Sequence, residues 1–130
     1  MSSVLLVDDD NTTNFLNKLF LNQVDTNLEI NTVSHGKEAI DFLLLNGEQI
    51  TPCLIILDTN MPVMDGWGFL KAYGVKINEN IRRKIKIIMM TATETEELVA
   101  EAKTHPLVDD AAQKPLSDVS FKSIIQKHFG

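Results

Sequence analysis

Short runs of consecutive apolar residues alternate along this chain with stretches of helical periodicity, and that alternation constrains the fold more than any single motif. The runs are SVLLV (3–7), CLIIL (53–57), IKIIMM (85–90) and a weaker AAQ (111–113). A further stretch, LEINTV (28–33), alternates Leu28 and Ile30 with polar neighbours, as an edge strand does. Apolar residues at consecutive positions imply burial on both faces, the habit of parallel sheets. Between the runs lie helical stripes. Phe15, Leu16, Leu19 and Phe20 mark one, and Ala39, Ile40, Leu43 and Leu44 a second that is expected to stop at Asn46-Gly47. Trp67, Leu70 and Tyr73 mark a third. A fourth opens at Thr93-Glu94-Thr95-Glu96, a capping-box spacing, and carries Leu98, Val99 and Ala102. The last runs from Ser117 with Phe121, Ile124, Ile125 and Phe129 on one side. This β-α order, repeated five times, implies right-handed crossovers and helices on both faces of a parallel sheet. The expected fold is a three-layer α/β sandwich with five strands and five helices.

The 130 residues fit one domain, 1–130, and leave little room for a second. No linker, repeat or low-complexity segment interrupts the pattern. At 44% apolar residues the chain can pack a core and is not a disordered polymer. Its start, MSSVLLVDDDN, has no basic segment before the short apolar run, so it resembles neither a signal peptide nor a membrane span. The single cysteine, Cys53, has no internal disulfide partner and suits a buried position in a reducing cytoplasm. A net charge of −6 argues against nucleic acid or an anionic membrane as partner.

Where the charges fall is more informative. In open α/β sheets ligands bind beyond the carboxyl ends of the strands. Past the first strand come Asp8, Asp9 and Asp10, past the third Asp58, past the fourth Thr91, and past the fifth Lys114-Pro115. Any one of these alone is ordinary at a solvated strand end. Together they bring several carboxylates to one edge, where they repel one another. A hard divalent cation with oxygen ligands, Mg²⁺, resolves that conflict. A carboxylate facing a cation, a hydroxyl and an ammonium is then a nucleophile suited to a phosphoryl group, whose oxygens the same neighbours stabilise.

With LLVDDD (5–10), LIILDTNMPVMDG (54–66), IIMMTA (87–92) and QKP (113–115) in this order, the chain resembles the receiver domain of two-component response regulators over nearly its whole length. The resemblance implies the flavodoxin-like strand order 2-1-3-4-5. It implies that Asp58 is the phospho-acceptor, taking its phosphoryl group from a sensor histidine kinase or a histidine phosphotransfer protein. Asp9 resembles a direct Mg²⁺ ligand, Asp8 a ligand through water, and the backbone carbonyl of Asn60 a third donor. Thr91 resembles the switch hydroxyl and Lys114 the partner of the phosphoryl oxygens, aimed by Pro115. Such a protein switches a protein-binding surface for a downstream target. It is no enzyme beyond its own phosphotransfer and dephosphorylation. The resemblance places the output surface on the fourth helix, fifth strand and fifth helix, with Leu98, Ala102, Lys103, Ala111 and Lys122 as candidates. Because the chain ends at Gly130, just past the last helical pattern, the expectation is a stand-alone receiver.

Other residues read more plainly. Ala111 stands three residues before Lys114, where the family commonly has Tyr or Phe, so switching is expected to depend on Thr91 alone. Thr93 and Asn60 occupy positions that tune phosphoryl lifetime in the family. Asp65 suits helix capping, Asp10 a cap or a solvent-facing position, and Asn11-Thr12-Thr13, which matches a glycosylation acceptor but follows no secretory signal, suits helix capping too. His35, His105 and His128 show no metal-ligand spacing. Arg82, Arg83, Lys84 and Lys86 suit a solvated edge, and Met89-Met90 a core.

Three rival readings are distinguishable. A phosphohydrolase of the haloacid dehalogenase type also uses a strand-end Asp with Mg²⁺, but wants a second Asp where this chain has Asn60. A flavodoxin-like cofactor protein wants a phosphate-cradling loop where this chain has acids. A degenerate receiver acting only as a docking module is disfavoured by the complete set of Asp8, Asp9, Asp58, Thr91 and Lys114.

Overall fold

Leucine, isoleucine and valine at consecutive positions can bury both sides of an extended chain only inside a sheet covered twice. The computed structural model, which describes residues 3–24, 27–59, 61–91, 96–113, 122–123 and 126–127, shows that arrangement. Its elements are β1 (Ser3–Val7), α1 (Asn11–Val24), β2 (Glu29–Val33), α2 (Gly36–Ile50), β3 (Cys53–Asp58), α3 (Gly66–Lys76), α4 (Glu79–Arg82), β4 (Ile85–Thr91), α5 (Glu96–Thr104) and β5 (Asp110–Gln113). The five strands are all parallel, in the flavodoxin-like order β2-β1-β3-β4-β5. The alternating stretch is the edge strand β2, as its pattern implies.

Successive side chains along a strand point to opposite faces. Leu5, Val7, Ile55, Leu57, Ile87 and Met89 therefore join α2 and α3 in one core, through Ala39, Ile40, Leu43, Phe69, Leu70 and Tyr73. Val4, Leu6, Leu54, Ile56, Ile88 and Met90 form the other core, which receives Leu21 from α1 and Leu28 from the turn before β2. No helix among the described residues is long and apolar enough to cross a membrane.

Several expectations need correction. The stripe Phe15, Leu16, Leu19 and Phe20 is not the buried face of α1: the first three are 62%, 44% and 43% exposed and Phe20 is half-buried. The buried face is Asn14, Asn17 and Leu21, because α1 is oriented by a hydrogen bond from Asn14 as well as by apolar contact. Helix α2 does not stop at Asn46-Gly47 but continues to Ile50. A Cβ on Gly47 would lie 3.2 Å from Ile81, so this glycine makes room for a neighbour. Leu44 on the same helix is exposed. The short helix α4 has no counterpart in the sequence pattern, and the fourth helical stripe is carried by α5. Residues 122–123 and 126–127 are helical, within the last stripe. The capping box at Thr93, the side chains of Leu98 and Val99, and Phe121, Ile124, Ile125 and Phe129 lie outside the described residues.

Candidate functional site

All carboxyl ends of a parallel sheet share one edge, and register decides which side chains meet there. Val7, the last residue of β1, pairs with Leu57, and Asp58 ends β3 opposite Met90. Asp8 follows β1 directly and remains tied to the sheet edge, its N–H donating to the Val33 carbonyl at 3.1 Å. The carboxylates of Asp8, Asp9 and Asp58 each offer an oxygen, and these three oxygens lie within 4.8 Å of one another. Asp8 and Asp58 are buried, whereas Asp9 is exposed. Two full charges that close repel by roughly 3–4 kcal/mol at an effective dielectric near 20. That is a sizeable share of a small domain's stability. Three carboxylate oxygens facing a common point, two of them withdrawn from water, fit a hard divalent cation of the Mg²⁺ kind.

The loop after Asp58 is held on both sides. The Thr59 N–H donates to Met90 O at 3.1 Å, and the Gly66 N–H donates to Thr59 O at 3.1 Å. A Cβ at Gly66 would stand 2.5 Å from the Asp58 carbonyl and 2.9 Å from Met89 Cε, so only glycine lets α3 start this near the site. Asp65 caps α3 by accepting from the Gly68 N–H at 2.8 Å. Val63 has φ 65°, a left-handed conformation that β-branched residues rarely adopt.

Thr91 follows Met90 and is fully buried, and its hydroxyl has no hydrogen-bond partner among the described residues. A buried hydroxyl without a partner costs about 1–3 kcal/mol, so its retention at this edge is informative. The register partner of Thr91 is Gln113. Lys114 and Pro115 come next and lie outside the described residues, as do Asn60 and Thr93.

Asp10 is not part of the carboxylate cluster. Its oxygens accept from the Thr12 N–H at 3.0 Å and the Thr13 hydroxyl at 2.9 Å, the capping role expected of it. His35 caps α2 through Nδ1, which accepts from the Glu38 N–H at 3.2 Å. His105 packs against Trp67 with ring centroids 6.3 Å apart. His128 lies outside the described residues. Burial pushes the Cys53 thiol up to about 11, as befits an inert core cysteine. The output-surface candidates Ala102 and Ala111 are corrected: both are buried between α5 and the sheet, leaving Lys103 and Lys122 exposed. Asn14, which touches the Asp8 backbone, was invisible to a reading by charge and apolar spacing, since a helical asparagine carries neither signal.

A family model for the response regulator receiver domain matches residues 4–126. This chain belongs to that family. Receivers take part in phosphorelay signalling, binding Mg²⁺ through acidic residues and interacting with histidine kinases and downstream targets. A probable chemotaxis protein CheY of Rhizobium etli is 32% identical over 127 residues, spanning 98% of this chain and 92% of that protein. A two-component response regulator from Cytophaga hutchinsonii superposes with a TM-score of 0.83 at 27% identity, covering 98% of this chain and 96% of the other. The chemotaxis response regulator CheY4 of Vibrio cholerae gives a TM-score of 0.74 at 27% identity, with 98% of both chains covered.

Proposed function

We propose that residues 1–130 form one receiver domain that accepts a phosphoryl group on Asp58 from a phosphohistidine of a sensor kinase or phosphotransfer protein. The observation that carries this reading is the convergence of the Asp8, Asp9 and Asp58 carboxylates at one sheet edge, with the unpartnered Thr91 hydroxyl on the adjacent strand. Asp9 and Asp58 would hold Mg²⁺ directly, Asp8 through water, and the Asn60 backbone carbonyl would add a donor. The cation, when bound, offsets carboxylate charge and neutralises phosphoryl oxygens.

A carboxylate oxygen of Asp58 attacks phosphorus, the new P–O bond replaces the P–N bond, and the donor imidazole leaves with the electron pair and takes up a proton. Lys114 pairs with the transferred oxygens, and Thr91 donates its hydroxyl hydrogen to one of them. That bond gives the Thr91 hydroxyl a partner it does not have among the described residues. It also favours the conformer in which the segment between β4 and α5 lies closer to Asp58, a population shift sustained by differential binding. With Ala111 in place of an aromatic ring, Thr91 alone carries the coupling, and a phosphoryl mimic that leaves residues 91–95 unmoved refutes this. The altered surface, on α5, β5 and the helix that follows, presents Lys103 and Lys122 to a downstream protein in the cytoplasm. No turnover of small phosphate esters is expected, because Asn60 cannot serve as a general acid. Steady hydrolysis of p-nitrophenyl phosphate would favour a phosphohydrolase instead.

Incubation with acetyl phosphate and Mg²⁺ tests the proposal directly. Mass spectrometry is expected to show one added phosphoryl group, lost in Asp58→Asn and absent with chelator. Equal labelling of Asp58→Asn overturns the assignment.

A further inference from the structure

The buried face of α1 carries an amide where an apolar residue would pack more cheaply. Asn14 is 8% exposed, and its Nδ2 donates to the Asp8 carbonyl at 2.9 Å. That contact fixes which end of the amide is which, because the reverse orientation would set two carbonyl oxygens against each other. Its Oδ1 is consequently left buried, with no hydrogen-bond partner among the described residues. An unmet buried acceptor is destabilising, and leucine, branched at the same carbon though larger, would remove it. The amide thus carries one unmet acceptor, and its only hydrogen bond among those described leads to the backbone of the carboxylate cluster.

Two further bonds make the contact a brace. The Asp10 N–H donates to Asp8 Oδ1 at 2.9 Å, and the Asn14 N–H donates to the Asp10 carbonyl at 3.0 Å. The turn bearing Asp8 and Asp9 is thus closed by the first turn of α1, with Asn14 gripping it from the helix side. We infer that Asn14 is a positioning residue for the Asp8–Asp9 pair, holding their carboxylates in the arrangement a divalent cation requires. The inference rests on the cation-dependent reading of the site given above.

The test is Mn²⁺ binding, followed by the loss of the free-ion paramagnetic resonance signal, in the full chain and in Asn14→Leu. The leucine variant is expected to bind Mn²⁺ about tenfold more weakly, in the range seen when a group orienting a metal ligand is lost. Its thermal midpoint in EDTA is expected to stay close to that of the wild type, so that affinity falls without a matching loss of fold, a combination that a merely structural role would not produce. Asn14→Ala, a second variant should the first not fold, is expected to lose affinity by a similar factor. Wild-type affinity in either folded variant overturns the inference while leaving the cation site intact. Failure of both variants to fold makes Asn14 a folding residue and overturns it equally. If the wild type does not bind Mn²⁺, or Asp9→Asn binds it as tightly, the fault lies with the proposed cation site itself.

Discussion

On one face of the sheet, α2 and α3 press Ile40, Leu43, Phe69, Leu70 and Tyr73 onto the strands, with Phe69 and Tyr73 stacked at 5.5 Å between ring centroids. On the other, α1 brings Leu21 but also two buried amides, Asn14 and Asn17, while Phe15, Leu16 and Leu19 face water. The first face gains its stability from apolar area, roughly 1.5–3 kcal/mol for each fully buried large side chain. The second spends part of its contact on hydrogen bonds that reach the carboxylate turn. The contrast separates a scaffold face, where packing decides, from a face that orients the reactive edge.

The separation can be broken in measurable ways. Phe69→Ala is expected to cost about 3–5 kcal/mol in urea unfolding while leaving Mn²⁺ affinity of the folded protein unchanged. A tenfold loss of affinity would show that the scaffold face also shapes the site. Cys53 probes the same face by charge. Burial raises its folded pKa from 9.0 to about 11, so the thiol's contribution is intact below pH 9 and is lost as pH rises towards 11. The wild type should lose up to about 2–3 kcal/mol relative to Cys53→Ala across that window. Identical pH profiles would mean that the face admits water.

Gly66→Ala sharpens the comparison, since α3 belongs to the scaffold yet its first residue abuts Asp58. A loss of roughly 1–3 kcal/mol is expected from the forced backbone shift, together with weaker Mn²⁺ binding by calorimetry. Stability lost with no change in binding would confine the strain to the helix. Phe15→Ser should shift stability by no more than about 0.5 kcal/mol, as for other exposed positions. A larger loss in denaturant titration would place α1's apolar residues back in the core.

How far the sequence could be read follows the same division. Apolar runs announced β1, β3 and β4, and register then carried Asp8, Asp9, Asp58 and Thr91 to a common edge without further information. The order of the strands came from family resemblance, because periodicity does not say which strands are neighbours. Reading failed where polar groups do structural work. Asn14 and Asn17 are buried on the inner face of α1, where apolar spacing carries no signal. Gly47 has the look of a helix end, yet α2 runs past it to Ile50, and its missing side chain leaves room for Ile81. Helix α4 spans 4 residues, too few for any helical period to register.

The close approach of Gly66 to the Asp58 carbonyl has an evolutionary and a practical corollary. A strand bearing the acceptor carboxylate could not be grafted alone onto a foreign sheet, because its main chain is gripped from above by the start of the next helix. The portable module is β3, its loop and α3 travelling as one block, and recombination breakpoints or designed chimaeras that respect this block should retain the site's geometry.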